Sequence, residues 1–444
     1  ELYNNLKNGG AKMKELKSYD YSIYYVTDEE LLHPSYDLYK SVEDAIIGGA
    51  TIIQLREKNT TTREFIEKAL KIKDICAKYE VPLIINDRVD VALAIDADGV
   101  HLGQDDMDLK SARKILGQDK IIGISASNLQ EAKLAEQGGA DYIGVGAMYS
   151  TNTKTDADFT TMDELKKIRQ EVKIPIVVIG GINQKTIPDF KDTDIEGLAI
   201  VSAIATSDNQ IETTKMLKNL FYSNNEVKAV ILDIDLTMLE TEELWDRVLD
   251  KIMGKYGFSC NEADKKFIWD NSFEVVAKYL SEKFKLKITE DDLLKLIHDF
   301  SIEEYGSSEI KFKKGLEEFL TLMNEKNIRL AVCTSLSKKQ YETVLKNTAL
   351  MDKFELILSA TETGIDKGDC RIYETVSSKL GIHPRNILAF DDELRAVRAA
   401  KRAGMRTAIM KNTKNITKDI YTLSMIDYSV DDFDEFMKID IRWN

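Results

Sequence analysis

The sequence predicts a two-domain α/β protein, in which a closed (β/α)8 barrel is followed by an open, doubly wound parallel sheet with an inserted helical cap. The chain has 444 residues, more than one hydrophobic core usually serves. Eight short apolar runs alternate with amphipathic stretches over about 200 residues, as in a closed parallel barrel. Apolar runs alternate with helical stretches again in the second half, so both halves are expected to contain parallel sheets.

The domain boundaries follow from these patterns. Residues 1–19 are a polar, Lys-rich extension, and residues 20–222 form the predicted barrel. Residues 223–226 are polar and without periodicity, and they are predicted to be the linker. Residues 227–444 form the second domain, with the cap at about 240–310.

Thirteen apolar runs are predicted to be strands because each is short and is bounded by turn or helix signals. In the barrel they are Ser22–Val26, Thr51–Leu55, Pro82–Asn86, Gly99–Leu102, Ile121–Ser125, Tyr142–Val145, Ile176–Ile179 and Gly197–Val201. In the second domain they are Val227–Asp233, Arg329–Cys333, Leu356–Ser359, Ile387–Phe390 and Thr407–Ile409.

Composition narrows the function classes. The net charge of −15 disfavours a nucleic-acid partner, because phosphate backbones attract basic surfaces. No apolar run approaches the roughly 20 residues that cross a bilayer, so no membrane association is expected. The four cysteines are far apart in the chain, which favours a reducing, cytoplasmic location. The expected partners are small phosphate substrates, and the sequence leaves homo-oligomer formation open.

The second predicted strand ends in polar residues suited to an anion. Gln54, Arg56 and Lys58 would point to one side if the extended run continues, because side chains alternate along a strand. One amide and two cations on one face can hold a group such as pyrophosphate. A solvated strand end is the alternative.

Carboxylates follow the next two strands. Asn86 and Asp87 end the third strand, and Asp106 lies shortly after the fourth. Since the carboxyl ends of adjacent barrel strands meet at one face, these oxygens can converge on Mg²⁺, which prefers such ligands.

Three later loops carry features of phosphate pockets. Small residues in Gly144–Ala147 let backbone N–H groups approach an anion, and Thr151, Thr153 and Lys154 follow. The loops after the last two strands contain Gly181, Val201 and Ser202, and they are the usual phosphate cradle of such barrels.

Residues 22–220 resemble thiamine phosphate synthase. The shared motifs are the Gln-x-Arg-x-Lys run, Asn86-Asp87-Arg88, His101-Leu102-Gly103-Gln104-Asp105-Asp106, Thr151-x-Thr153-Lys154 and Ile179-Gly180-Gly181-Ile182. The resemblance implies a TIM barrel that joins an aminopyrimidine diphosphate to a thiazole phosphate and releases pyrophosphate. It assigns the diphosphate to Gln54, Arg56, Lys58, Asn86, Thr151, Thr153 and Lys154, Mg²⁺ to Asp87 and Asp106, and the thiazole phosphate to Gly181, Val201 and Ser202. Ser125 is expected to hydrogen-bond the departing group or the pyrimidine.

A related barrel, the thiazole tautomerase, is the alternative for this half. It resembles the synthase but is thought to use a His two residues after the Ser125 position, where this chain has Ser127. Together with the intact carboxylate pair, this difference favours the synthase. The chain also has Ala147 and Ser150 where the synthase family usually has prolines, a change that removes no hydrogen-bond donor.

The first strand of the second domain ends in Asp233-Ile234-Asp235. Two carboxylates two residues apart lie on one side of a strand end. There one can attack phosphorus while the other supplies and recovers a proton. A merely acidic strand end is the alternative from this run alone.

Residues at later strand ends complete a resemblance to the haloacid dehalogenase-like hydrolase superfamily. Thr334 ends a strand, Lys367 follows the next, and Asp391 and Asp392 end another. The resemblance implies Asp233 as nucleophile, Asp235 as general acid and base, and Thr334 and Lys367 as phosphate ligands. A second Mg²⁺ would be held by Asp233, Asp235, Asp391 and Asp392, with the choice between the last two left open.

The helical segment after Glu240 resembles the four-helix cap of that superfamily, which closes over small substrates. Its aromatic residues Trp245, Trp269, Phe273 and Tyr279 are interpreted as packed cap core rather than as substrate-stacking groups. The fusion suggests thiamine phosphate as the phosphatase substrate. A pyrimidine monophosphate, a general sugar phosphate and phosphomutase chemistry remain alternatives, and a non-catalytic phosphate-binding module is a further one.

Overall fold

The computed structural model describes residues 19–149, 159–269, 273–411 and 426–443. The first eight strands form one closed, all-parallel barrel in sequence order, with β1 paired to both β2 and β8. This confirms the predicted barrel, and each strand begins and ends within a residue or so of its predicted run. The strands are β1 (Ile23–Val26), β2 (Ile52–Leu55), β3 (Leu83–Asn86), β4 (Gly99–Leu102), β5 (Ile121–Ala126), β6 (Tyr142–Val145), β7 (Ile176–Ile179) and β8 (Gly197–Ile200).

Helices surround the barrel and bury one face each against it. They are α1 (Leu38–Ile47), α2 (Thr62–Lys78), α3 (Val89–Ala94), α4 (Leu109–Leu116), α5 (Leu129–Gly138), α6 (Met162–Glu171), α7 (Ser202–Ala205) and α8 (Gln210–Asn224). Helix α2 illustrates the cause: Phe65, Ala69, Ile72 and Cys76 recur at helical spacing and are buried. The connection between β7 and β8 departs from the regular repeat, since it holds a 3-10 turn at Ile187–Phe190.

Two glycines make room for polar side chains inside the barrel. A Cβ at Gly123 would lie 2.1 Å from the ring of Tyr142, and one at Gly144 would lie 2.9 Å from the ring of His101. Glycine at these positions of β5 and β6 therefore lets Tyr142 and His101 fill the barrel interior.

The second domain contains one six-stranded parallel sheet of order β11-β10-β9-β12-β13-β14, which confirms the predicted open α/β sheet. Its strands are β9 (Ala229–Leu232), β10 (Arg329–Thr334), β11 (Leu356–Ser359), β12 (Ile387–Asp391), β13 (Arg406–Met410) and β14 (Tyr428–Val430). The edge strand β14 was absent from the sequence prediction. It has three residues, one of them fully buried, so it carries almost no apolar pattern.

Four described helices form the cap between β9 and β10, as the resemblance implied. They are α9 (Glu242–Lys255), α10 (Glu262–Trp269), α11 (Phe273–Phe284) and α12 (Glu290–Ser307). The remaining helices flank the sheet or follow its last strand: α13 (Leu316–Glu325), α14 (Lys338–Asn347), α15 (Ala360–Thr363), α16 (Cys370–Leu380), α17 (Leu394–Arg402) and α18 (Phe433–Phe436).

The junction between the halves is shorter than the predicted linker. Helix α8 continues to Asn224, because Phe221 and Tyr222 still bury against the protein and Asn224 donates to the Ile187 carbonyl at 2.6 Å. Only Asn225 and Glu226 remain outside regular structure before Val227 bridges to Trp443.

Charged residues join the two halves at the amino-terminal ends of both sets of strands. Arg385, just before β12, donates to the Ile195 carbonyl at 2.5 Å and pairs with Asp194, just before β8. Lys218 of α8 contacts Asp427, just before β14, at 2.7 Å. The active sites of such folds lie at the opposite, carboxyl ends of the strands. The two candidate sites therefore face away from each other.

Candidate active sites

In the second domain, three carboxylates meet where the two central strands end. Asp233 follows β9 directly, Asp391 ends β12 and Asp392 comes next. One carboxylate oxygen of each lies within 4.8 Å of the others, and all three side chains are at least nine-tenths buried. Strands β9 and β12 are paired in register, with Leu232 opposite Phe390, and this pairing brings the acids together.

Lys367 lies between two of these acids. Its Nζ is 2.8 Å from Asp233 Oδ1 and 2.8 Å from Asp391 Oδ2, and its side chain is 1% exposed. Burial alone would lower the pKa of Lys367, but the surrounding carboxylates outweigh burial and hold it well above its ordinary value. One lysine thus faces three buried acids, so the site has an excess of negative charge.

Burial, and to a smaller extent this excess of negative charge, raises the pKa values of the three acids. Burial raises the pKa of Asp391 to about 7, although Lys367 acts in the opposite direction. Burial and the neighbouring Asp391 raise the pKa of Asp392 well above its ordinary value, and burial also raises that of Asp233. A divalent cation would relieve the mutual repulsion, and the three convergent oxygens are the ligand type that Mg²⁺ prefers. The residues present therefore fit a magnesium ion.

Asp235 lies outside this carboxylate group and turns toward the cap. Its Oδ2 accepts hydrogen bonds from Tyr305 OH at 2.6 Å and from Trp245 Nε1 at 3.2 Å. Burial raises the pKa of Asp235 to about 6. The structure does not bring its side chain to the three-acid cluster, so its predicted role as a side-chain metal ligand has no support here. A carboxylate with a raised pKa suits proton transfer instead.

The remaining predicted groups border one cavity of about 380 Å³ between the sheet and the cap. Asp233, Asp235, Thr334, Lys367 and Asp392 all line it. Thr334 is buried at the end of β10, and its Oγ1 accepts from Leu336 N at 3.2 Å.

The structure agrees only in part with the interpretation of the cap aromatic residues as packed core. Trp245 lines the cavity as well as packing edge-on against Tyr305. Tyr279 stacks on Phe267 and donates to Asp264 at 2.5 Å, as expected of cap core. The side chains of Trp269 and Phe273 lie outside the described part. Tyr305 was missed, because its distance from Asp235 in the sequence hides the contact.

At the barrel mouth, the acids after β3 and β4 influence each other. Asp87 adopts a left-handed φ of 62°, and burial together with the Asp106 carboxylate raises the pKa of Asp87 to about 6. Asp106 is exposed, and its Oδ2 accepts from Gly103 N at 2.8 Å. The two carboxylates therefore lie close enough to influence each other, and their predicted role as Mg²⁺ ligands stays a prediction.

The predicted Gln-x-Arg-x-Lys face is divided by the structure. Strand β2 ends at Leu55, so only Gln54 belongs to it; its Nε2 donates to Tyr24 OH at 2.8 Å inside the barrel. Arg56 lies in the following loop and pairs with Asp28 at 3.1 Å, while Lys58 is exposed. Only Gln54 therefore lies on the strand itself, and the placement of all three side chains on one face stays a prediction.

Ser125 belongs to a hydrogen-bonded chain that crosses the barrel interior. Its Oγ is 3.0 Å from His101 Nε2, and His101 Nδ1 is 2.9 Å from Tyr142 OH. Tyr142 OH is 2.6 Å from Tyr24 OH, which also meets Gln54. Sequence reasoning missed the two tyrosines and assigned no role to the His101 side chain. The signal that could have revealed this hydrogen-bonded chain is the presence of large polar residues within apolar barrel strands.

The last barrel loops lie where the phosphate cradle is expected. Gly181 follows β7 with a left-handed φ of 69°, and its carbonyl accepts from Asn183 Nδ2 at 2.9 Å and from Thr186 Oγ1 at 3.0 Å. Val201 and Ser202 follow β8, and Asn86 ends β3 at the same face. Thr151, Thr153 and Lys154 lie outside the described residues.

Comparison with known proteins divides the chain at the same place. A family model described as thiamine monophosphate synthase matches residues 23–204, and one described as haloacid dehalogenase-like hydrolase matches residues 230–410. The thiamine-phosphate synthase of Clostridium botulinum is 56% identical over 202 residues, which are 46% of this chain and 94% of that protein. That of Methanobrevibacter smithii is 48% identical over 215 residues, covering 47% of this chain and all of that protein.

Solved structures align with each half separately. A thiamine phosphate pyrophosphorylase from Pyrococcus furiosus is 38% identical, with a TM-score of 0.43, over 46% of this chain and 98% of that one. CbbY from Rhodobacter sphaeroides, in complex with phosphate, is 21% identical, with a TM-score of 0.43, over 47% of this chain and 96% of that one. Through its barrel the chain belongs to the thiamine-phosphate synthase family, and residues 230–410 of its second half match the haloacid dehalogenase-like hydrolase model.

Proposed function

We propose that this chain is a bifunctional enzyme of thiamine biosynthesis. The barrel joins 4-amino-2-methyl-5-hydroxymethylpyrimidine diphosphate to a thiazole phosphate, giving thiamine phosphate and pyrophosphate. The second domain hydrolyses a small phosphomonoester through an aspartyl-phosphate. The near-complete coverage of synthases at up to 56% identity supports the first activity, and the Asp233–Lys367–Asp391 cluster supports the second.

In the barrel, the thiazole nitrogen is itself the nucleophile, so the protein has to stabilise the departing pyrophosphate. The paired Asp87 and Asp106 would hold Mg²⁺, whose charge stabilises the leaving oxygens when it is bound. Arg56 and Lys58 lie in the loop after β2, at the same end of the barrel, and add positive charge toward the diphosphate. The Ser125–His101–Tyr142 chain orients a hydroxyl at the mouth, where the pyrimidine is expected.

Two substitutions test the barrel assignment. Asp106→Ala and Lys58→Ala should each reduce pyrophosphate release by about 100-fold or more, because Lys58 supplies positive charge to the leaving group and Asp106 would hold the Mg²⁺ that does the same. Asp105→Ala removes an equally exposed carboxylate next to Asp106 and serves as the matched control. Turnover at the wild-type rate in either pocket variant would contradict the assignment.

In the second domain, Asp233 is the proposed nucleophile. Lys367 holds Asp233 Oδ1 at 2.8 Å and so fixes the orientation of the carboxylate in the cavity. Asp233, Asp391 and Asp392 would hold Mg²⁺, which reduces the repulsion between carboxylate and phosphate when it is bound. Asp235 gives a proton to the leaving alcohol and later takes one from water, and its pKa of about 6 suits both directions.

We further propose thiamine phosphate as the substrate of this domain, because the barrel would produce it in the same chain; this is an argument by association. The test is phosphate release from thiamine phosphate by the full chain with Mg²⁺, compared with Asp233→Asn. No release above that variant would reject thiamine phosphate as the substrate. A pyrimidine monophosphate and a sugar phosphate are the rivals to assay in parallel.

A further inference from the structure

The cavity above Asp233 extends into the cap, and its two sides differ in chemistry. The sheet side carries acids, Lys367, Thr334 and Arg395. The cap side is lined mainly by aliphatic side chains from all four cap helices, among them Leu249, Ile268, Val276 and Ile297. These cap side chains form a hydrophobic wall opposite the groups proposed to act on the phosphate.

Two polar side chains lie on the cap side of the described lining, and both already have partners. Trp245 Nε1 donates to Asp235 at 3.2 Å, and Asp246 Oδ2 accepts from Lys265 at 3.2 Å. A substrate with several hydroxyl groups would lose their hydration on entering this side and would find few groups to replace it. A flat or apolar group would instead bury favourable surface against the wall.

We infer that the phosphomonoester hydrolysed here carries an aromatic or otherwise apolar alcohol rather than a polyol. Leu249 and Ile268 are specificity-determining members of the wall. This inference rests on the proposed phosphatase activity and narrows its substrate class: a heteroaromatic phosphate fits the wall, and a sugar phosphate does not.

The experiment compares two esters of primary alcohols, benzyl phosphate and glucose 6-phosphate, on the full chain with Mg²⁺. We expect kcat/KM to favour benzyl phosphate by at least about 10-fold, the range over which apolar pockets discriminate. Equal or greater kcat/KM for glucose 6-phosphate would overturn the inference while leaving the phosphatase activity standing. Hydrolysis of neither ester would also overturn the inference, and the phosphatase proposal would itself be rejected if thiamine phosphate and its rivals gave no release above Asp233→Asn either.

Variants locate the selectivity in the wall. Leu249→Asn should raise KM for benzyl phosphate and reduce the preference by about 10-fold, with a small change in kcat. Leu244→Asn makes the same change on the same helix at a buried position outside the lining, and the preference should stay as in the wild type. Ile268→Asn, at a half-buried position, gives the same test if Leu249→Asn does not fold. A preference unchanged in both wall variants would overturn the assignment.

Discussion

The two active sites balance charge in opposite ways. In the phosphatase domain, Asp233, Asp391 and Lys367 are at most 5% exposed, so their charges must be compensated inside the protein before any substrate arrives. At the barrel mouth, Asp106 and Lys58 are exposed, and water compensates them until a charged substrate binds. A buried site therefore couples catalysis to folding stability, whereas an open site can lose a charge with little effect on the fold.

The strongest test of this comparison is removal of divalent cations. We expect thorough chelation to bring both pyrophosphate release and phosphate release to background, and Mg²⁺ to restore both. Mg²⁺ at about 100 times its Kd should also stabilise the phosphatase domain by about 2.7 kcal/mol. Full-rate turnover in either assay after chelation would contradict a metal role at that site.

The next test substitutes one lysine in each site. Lys367→Ala leaves two buried carboxylates without their partner, so it should abolish phosphate release and lower the free energy of unfolding by about 3–5 kcal/mol. Lys58→Ala should change that free energy by less than about 0.5 kcal/mol while it cripples synthesis.

Lys367→Met is the control that separates charge from packing, because a similar apolar volume can recover stability without recovering activity. Denaturant unfolding of the full chain, read together with both assays, measures these differences. Equal losses of unfolding free energy in Lys367→Ala and Lys58→Ala would contradict the proposed difference between the buried site and the open site.

A smaller effect concerns pH. The pKa of Asp235 is about 6 when folded against 3.8 ordinarily, so between these values the folded chain keeps a proton that the unfolded chain has released. Rising pH therefore favours unfolding. The stability that the folded chain gains from the protonated Asp235 is fully present below pH 3.8 and is lost as the pH passes 6. Asp235→Asn should remove about 1–3 kcal/mol of that pH dependence in metal-free urea unfolding. An identical slope in the variant and the wild type would contradict the burial of this acid.

The smallest expected effect follows from the opposed orientation of the sites. If thiamine phosphate is the phosphatase substrate, the thiamine phosphate that the barrel makes from a labelled substrate must pass through solvent to reach the second site. An added pool of unlabelled thiamine phosphate should then dilute the label in thiamine in full proportion to the pool. Label retained above that proportion would show direct transfer, which sites facing away from each other do not allow.

Part of this molecule could be predicted from the sequence. Strand positions were recovered because buried parallel strands are apolar runs between helices, a local signal. The acids at the ends of β9 and β12 were recovered because the carboxyl ends of neighbouring parallel strands meet at the same edge of a sheet. The edge strand β14 was not, since only one of its three residues is buried, and the last turn of α8 was not, since the burial of its polar Asn224 depends on a contact with Ile187 that exists only in the folded protein.

No helix among the described residues combines the length and apolar character needed to cross a membrane.

The sequence by itself determined the two α/β domains, the positions of all their described strands except β14 and the acids that end them, because these depend on local pattern. Only the tertiary structure decided which distant groups touch: His101 with Ser125 inside the barrel, Tyr305 with Asp235 under the cap, and the charged junction that holds the active sites apart. The physical reason is that such contacts depend on how packed elements orient side chains across long stretches of chain, and residue spacing carries no record of that orientation.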